Sequence, residues 1–479
     1  MQRLEHPTTV TRRGWLAQSG INLGAAALAS LLPPESRAQH ASVAGRPLPR
    51  HMPRAKHVIY LCQSGGPSQM DLFDEKPLMA GLFGTELPNS VRNGQRLTTQ
   101  TSKQPKIPIA PSLFSFSRFG QSGATVSELL PYTSQVVDEI CFIKSMHTEA
   151  INHDPATTFL VTGSERPGRP SLGAWLSYGL GSENQNLPAF VVMTSHGSKG
   201  GQPLYARLWG SGFLPTHYQG VRFRGVGEPV LYLTNPAGIS RQVRREMVKT
   251  VTELNRMKLA EIDDPEIATR ITQYELAFRM QTSVPDLINI ADESAHVLRL
   301  YGSEVQNQGS YTYNCLMARR LVERGVRFVQ LYHRGWDHHQ DLPRDLRLLA
   351  RSTDQATAAL LQDLKNVGLL DDTLVVWAGE FGRTIYCQGE LSSENYGRDH
   401  HPRCFTAWIA GGGIRRGMTY GETDDFSYNI VRDPVHVHDL NATILHCMGL
   451  DHTQLTFKFQ GRRFRLTDVA GEVIQQILA

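Results

Sequence analysis

Six short apolar runs punctuate the chain, and each stops at glycine or at polar residues. They are HVIYLCQSGGPS (57–68), VVDEICFIKSM (136–146), LPAFVVMTS (187–195), VRFVQLYHR (326–334), DTLVVWAGEFG (372–382) and CFTAWIAGGG (404–413). Runs of this length, rich in β-branched and aromatic residues and bounded by turn residues, predict buried strands. Between them apolar residues return every three or four positions, as in RQVRREMVKTVTELNRMKLAEI, in YNCLMARRLVERG, which ends at Gly325, and in STDQATAALLQDLKNVGLLDDT. Strands alternating with helices predict an α/β fold, a doubly wound and mostly parallel sheet flanked by helices.

The remaining sequence sets the limits of that domain. Residues 1–38 carry paired arginines (Arg12, Arg13), then Trp15 and Leu16, a Gly/Ala/Leu stretch, and Ser36-Arg37-Ala38, the pattern of a twin-arginine export signal with a small-residue cleavage site. Its apolar stretch is too short and too glycine-rich to span a membrane. Residues 39–56 read as a linker and 57–479 as one α/β domain with long loop insertions, chiefly over 75–130. The expected location is the periplasm or the cell surface. A net charge of +4 without a long basic run leaves no nucleic-acid footprint. The six cysteines (62, 141, 315, 387, 404, 447) form no CxxC pair, and Cys62, Cys141 and Cys447 fall inside apolar runs as buried thiols.

In a doubly wound sheet, ligands bind where strands end at their carboxyl side. Nine of the eighteen histidines fall between residues 333 and 452, and the polar clusters gather at strand boundaries. Asp337 and His339, in RGWDHHQD, offer oxygen and nitrogen ligands of the kind that suits zinc, manganese or iron; His338 points away from its neighbours. Glu380 stands where a buried run meets Phe381-Gly382, and Arg383 follows, placed either to hold an anion or to neutralise Glu380. GRDHHP brings Asp399, His400 and His401 just before a strand. Asp154-Pro155 suits the N-cap and first turn of a helix, with His153 just outside it. Gly65-Gly66-Pro67-Ser68, followed by Asp71, has the form of an anion loop. Each cluster alone also has an ordinary structural reading as a polar loop, an ion pair or a cap; three clusters within 65 residues favour a shared site.

Taken in order, the leader, SGGPSQMDLFDEKP, MHTEAINHDPATTFLVTG, GWDHHQD, GEFGRT, GRDHHPRCFTAWIAGGGIRRG and VHDLNATILHCMGL resemble the exported bacterial family known as domain of unknown function 1501. That family is similar to the alkaline phosphatase and sulfatase superfamily, whose members hold two metal ions at the strand ends of an α/β sheet. The resemblance implies a divalent metal (zinc, manganese or calcium) held by Asp71, Asp337, His339, Glu380 and His400. It also implies catalytic roles for His153, ten residues before Gly163 where the superfamily places its nucleophile, and for Arg383. Glu380-Phe381 stands where the superfamily has an Asp-His pair. The implied activity is hydrolysis of phosphate or sulfate esters, acting on a small anionic ester or a sulfated or phosphorylated glycan. The alternative is a non-catalytic protein of the same fold that binds or assembles polysaccharide or cell-surface partners.

Overall fold

The computed structural model describes residues 51–197, 201–230 and 233–479; the expected export signal and most of the expected linker lie outside them. The six predicted strands are present as β1 (His57–Ser64), β2 (Ile140–His147), β3 (Phe190–His196), β5 (Phe328–Arg334), β6 (Thr373–Ala378) and β9 (Phe405–Ala410). Shorter strands β4 (Val221–Arg222), β10 (Met418–Tyr420) and β11 (Val435–His436) complete a nine-stranded sheet of order β10-β2-β9-β6-β1-β5-β3-β4, with β11 also pairing β2. From β6 to β4 the strands run parallel, and β9 is antiparallel to both its neighbours, β2 and β6. The architecture is therefore the mostly parallel, doubly wound sheet that the sequence pattern predicts.

Alternation along β1 shows how the sheet is covered. Val58, Tyr60 and Cys62 face a core shared with Trp175 and Leu176 of α2 (Leu172–Leu180) and Ile444 and Leu445 of α7 (Val437–Cys447). Ile59 and Leu61 face the opposite core, with Leu316 and Leu321 of α5 (Tyr311–Glu323) and Leu360 and Leu361 of α6 (Leu342–Asn366). A strand buried on both faces has no polar side, which explains why these runs are continuously apolar. Each such side chain contributes about 1.5–3 kcal/mol by leaving water. Helices α3 (Arg241–Ile262) and α4 (Pro265–Ile288) pack on each other. The described residues belong to one compact unit, Pro49–Ala479, and no helix among them is long and apolar enough to cross a membrane. All six cysteines are buried and unpaired.

Three local readings change. Residues 137–139 form a 3-10 turn ahead of β2 rather than its first residues. GRDHH is not a loop before a strand but a strand itself, β8 (Gly397–His401), antiparallel to β7 (Gly382–Gln388). Its Arg398 and Asp399 are fully buried and satisfied by partners, so it lacks the apolar signature that reveals a strand in sequence. Helix α1 (His153–Thr162) is preceded by Asn152 as N-cap, so His153 is its first residue. Asp154 lies within the first turn and pairs with Arg207 instead of capping.

Candidate metal centre

Helix α1, the loop after β5, the turn after β6 and strand β8 bring their polar residues to one point. Nε2 of His153, His339 and His400 lies 3.2, 2.9 and 3.5 Å from a single oxygen, Oδ1 of Asp337. These four residues place one ligand atom each within 4.8 Å of one another.

The opposite ring nitrogens decide what these atoms can do. Nδ1 of His400 lies 2.7 Å from the Ile151 carbonyl, which can only accept, so Nδ1 carries the proton. Nδ1 of His153 lies 2.7 Å from Glu380 Oε1. Nδ1 of His339 meets the side-chain oxygen of Gln388, whose own amide donates to Gln100 Oε1 at 2.7 Å. Each neutral ring therefore aims an Nε2 lone pair at a carboxylate oxygen, an arrangement that repels unless a cation lies between. Consistent with this, the buried Nε2 atoms of His153 and His400 make no hydrogen bond despite their closeness to Asp337. Three imidazoles and one carboxylate, each imidazole oriented by an acceptor behind it, fit a transition-type divalent metal. His339 and Asp337, 32% and 18% exposed, form the side open to solvent.

The electrostatics agree. Burial opposes a charge on His153, yet the adjacent carboxylates of Asp337 and Glu380 raise its pKa above the ordinary histidine value. His400 is pushed down to about 4, by burial first, although the nearby Asp337 carboxylate acts the other way. Burial would raise the Asp337 carboxyl, but Arg383 and the three histidines hold it far below the usual carboxylate range.

Two sequence expectations are corrected. Asp71 stands apart from the four-residue cluster. It is fully buried, paired with Arg398 (Nε to Oδ2, 2.8 Å) and accepts from Tyr396 Oη (3.1 Å) and Ser68. Burial tends to raise its pKa, and Arg398 outweighs that to lower it. Its role is to hold strand β8, and thereby His400, against the first loop. Arg383 neutralises Asp337 at 2.6 Å, not Glu380, and its remaining donors go to the carbonyls of Gly65, Gly66 and Arg398. It is fully buried, and four of its five N–H hydrogens are spent inside the protein, so it is not placed to hold a substrate anion.

Glu380 is absent from the four and stands behind His153. Its carboxylate also accepts from the Gly65 amide at 2.9 Å, so the anion held by the glycine loop is the protein's own. Gly65 has φ +123, and a Cβ there would lie 2.5 Å from the Asp337 amide nitrogen. His338 is buried, and its carbonyl accepts from the Arg398 amide. His401 turns the other way from His400, as strand alternation requires, stacking on Tyr428 and bonding its carbonyl at 2.7 Å. The sequence carried no signal for Gln388, for the Ile151 carbonyl, or for Gln202, whose amide donates to Asp337 Oδ2 at 2.8 Å.

A second set, His147, Glu149 and His436, also meets the 4.8 Å spacing, but its protons are already placed. His436 Nδ1 accepts from the His438 amide at the start of α7, leaving the ring proton on Nε2, 2.9 Å from Glu149 Oε2. A ring that accepts on one nitrogen and donates from the other has no lone pair for a cation. His436 is the N-cap of α7.

Comparison with known proteins adds three findings. The model of a family described as "Protein of unknown function (DUF1501)" matches residues 55–478. No curated protein matches. Similar solved structures include a sulfatase, PsFucS1, from Pseudoalteromonas sp. (13% identity, TM-score 0.34, covering 88% of this chain and 72% of that one). A protein in the alkaline phosphatase superfamily from Vibrio parahaemolyticus is 11% identical (TM-score 0.34, 85% and 69% covered). The phosphonate monoester hydrolase of Agrobacterium radiobacter is 10% identical (TM-score 0.33, 83% and 74% covered). At such scores the chemistry has to be argued from the site itself.

Proposed function

The chain belongs to the DUF1501 family, and from that premise we propose that it is an exported, metal-dependent hydrolase of phosphate or sulfate esters. The observation that carries this reading is the convergence of three Nε2 atoms on Asp337 Oδ1 with every Nδ1 already committed to an acceptor. A divalent cation held there supplies Lewis acidity to an ester oxygen and lowers the pKa of a water molecule. The three-nitrogen donor set favours zinc, or manganese, over calcium, which prefers oxygen ligands. Export by the twin-arginine route, which carries folded chains, suits a site that is filled before the protein leaves the cytoplasm.

The protein's own residues prepare the site. Glu380 and the Ile151 carbonyl hold His153 and His400 in the tautomer that leaves Nε2 free. Arg383 keeps Asp337 ionised although it is largely buried. His153 opens a ten-residue helix whose positive end faces the cluster and favours an anionic ester beside it. Nucleophilic attack falls to water, because His153, which holds the nucleophile's place in the sequence, gives Nδ1 to Glu380 and turns Nε2 toward Asp337 and the metal position.

A histidine at the nucleophile's place in the sequence, and Glu380-Phe381 in place of an Asp-His pair, favour a second reading, a protein that binds or assembles a polysaccharide or cell-surface partner without turnover. Metal analysis of purified protein, followed by a panel of aryl phosphates and aryl sulfates, separates the two. Hydrolysis that needs the metal and disappears in Asp337→Ala is the expected result. Metal bound without turnover of any ester would leave the binding reading in place, and no metal at all would remove both metal roles.

A further inference from the structure

A cavity of about 320 Å³ opens at the carboxyl ends of β3 and β5, the same edge that carries the His/Asp cluster. Thr194, Ser195, His196, Leu204, Arg222 and Arg334 line it. Among the described residues the polar lining contains two guanidinium groups, an imidazole and the Thr194 hydroxyl, but no carboxylate. Among the described residues neither Arg222 nor Arg334 forms an ion pair, in contrast to Arg383 and Arg398, whose charges are cancelled inside the protein. Two arginines sharing a concave wall repel each other, and a bound oxyanion would relieve that repulsion.

The cavity shares a wall with the proposed metal centre. Gln202 donates its side-chain amide to Asp337 Oδ2 at 2.8 Å, and its backbone carbonyl accepts from Arg334 Nη1 at 3.4 Å. Arg334 itself ends β5, three residues before Asp337. Gly201 lies so close that a Cβ would stand 2.5 Å from that of Arg334.

We infer that this cavity is a binding site for an oxyanion, a sulfate or carboxylate carried on a sugar-sized unit of the substrate next to the one whose ester reaches Asp337. Arg222 and Arg334 hold the charge, Thr194 takes a remaining oxygen, and Leu204 covers the ring, while the Ser195 hydroxyl stays on His333 Nδ1. Only the last clause, that the anion and the ester sit on one molecule, rests on the hydrolase reading.

The test uses full-length protein and two probes, glucose 6-sulfate and glucuronate, with glucose as the uncharged control. Calorimetric titration should show the charged sugars binding and glucose not, and the preferred probe tells sulfate from carboxylate. Arg222→Ala and Arg334→Ala should each weaken binding about tenfold, the loss of one charge-assisted contact, while His339→Ala, which damages the metal centre, should leave it intact. Binding no better than glucose, or binding lost in His339→Ala but kept in both arginine variants, overturns the inference. If ester hydrolysis is never found yet the arginine-dependent binding holds, the hydrolase reading fails and the oxyanion site stands. If hydrolysis is found, Arg334→Ala should raise KM for an ester bearing a second anion without lowering kcat, and a fall in kcat alone would contradict a substrate-holding role.

Discussion

His153 Nδ1 lies 2.7 Å from Glu380 Oε1, and that single contact makes Glu380 a positioning group rather than a ligand. A carboxylate behind an imidazole fixes its tautomer and raises its basicity as a ligand.

Glu380→Gln should keep the fold and weaken metal binding by about 10–100-fold, the usual effect of removing such a partner. Competition with a chelator of known affinity measures it. An unchanged affinity would mean that His153 is not a ligand.

Neighbouring histidines should separate cleanly. His400→Ala should lose metal with less destabilisation, because the loss of its bond to the Ile151 carbonyl is offset by removing a buried, unpartnered Nε2 that faces the Asp337 oxygen. His401→Ala should keep the metal and lower stability by about 1–3 kcal/mol, since it removes a buried ring bonded to the Tyr428 carbonyl. Metal content and denaturant unfolding, run on both variants, check the contrast.

Asp71 and Arg398 are each fully buried and satisfy one another. Asp71→Ala should therefore cost about 3–5 kcal/mol by stranding the guanidinium. It should also loosen strand β8, so metal affinity falls together with the melting temperature, whereas His400→Ala changes affinity far more than stability.

Acid should destabilise the protein by a predictable route. Burial pushes His333 down to about 3 and His401 down to about 4, both fully desolvated. Below the ordinary histidine pKa the unfolded chain takes up these protons and the folded chain does not. Their stabilising contribution is therefore complete above about pH 6.5 and is lost as pH falls toward the folded values, at about 1.4 kcal/mol per pH unit for each histidine. Unfolding measured between pH 7 and 4 should follow this slope, and His401→Gln should reduce it.

Metal binding should strengthen as pH rises. The raised pKa of His153 means that the metal-free protein gains stability from the charged ring at low pH, a gain lost as pH climbs through the folded value. A cation needs that ring neutral, so uptake releases a proton and tightens with increasing pH. A titration of affinity against pH that runs flat or downward would show that His153 stays outside the coordination set.

Much of this protein is legible in its sequence because the central strands are buried on both faces. That burial leaves long apolar runs which have no other reading, and it places Asp337, His339 and Glu380 at strand ends before any coordinates are considered. The polar strand β8 was invisible for the converse reason: Arg398 and Asp399 are buried only because Asp71, Thr384 and the loop around Thr98 satisfy them, and partners distant in sequence leave no local pattern. The same holds for the roles within the site. Residue type and position, together with the family resemblance, nominated Asp71 and Glu380 as ligands and Arg383 as an anion holder. Only the tertiary structure decided that Asp71 belongs to Arg398, that Arg383 is spent on Asp337 and three carbonyls, and that Glu380 stands one layer behind His153. Chemical identity is local, but whether a lone pair is free depends on what the rest of the chain brings to its other side.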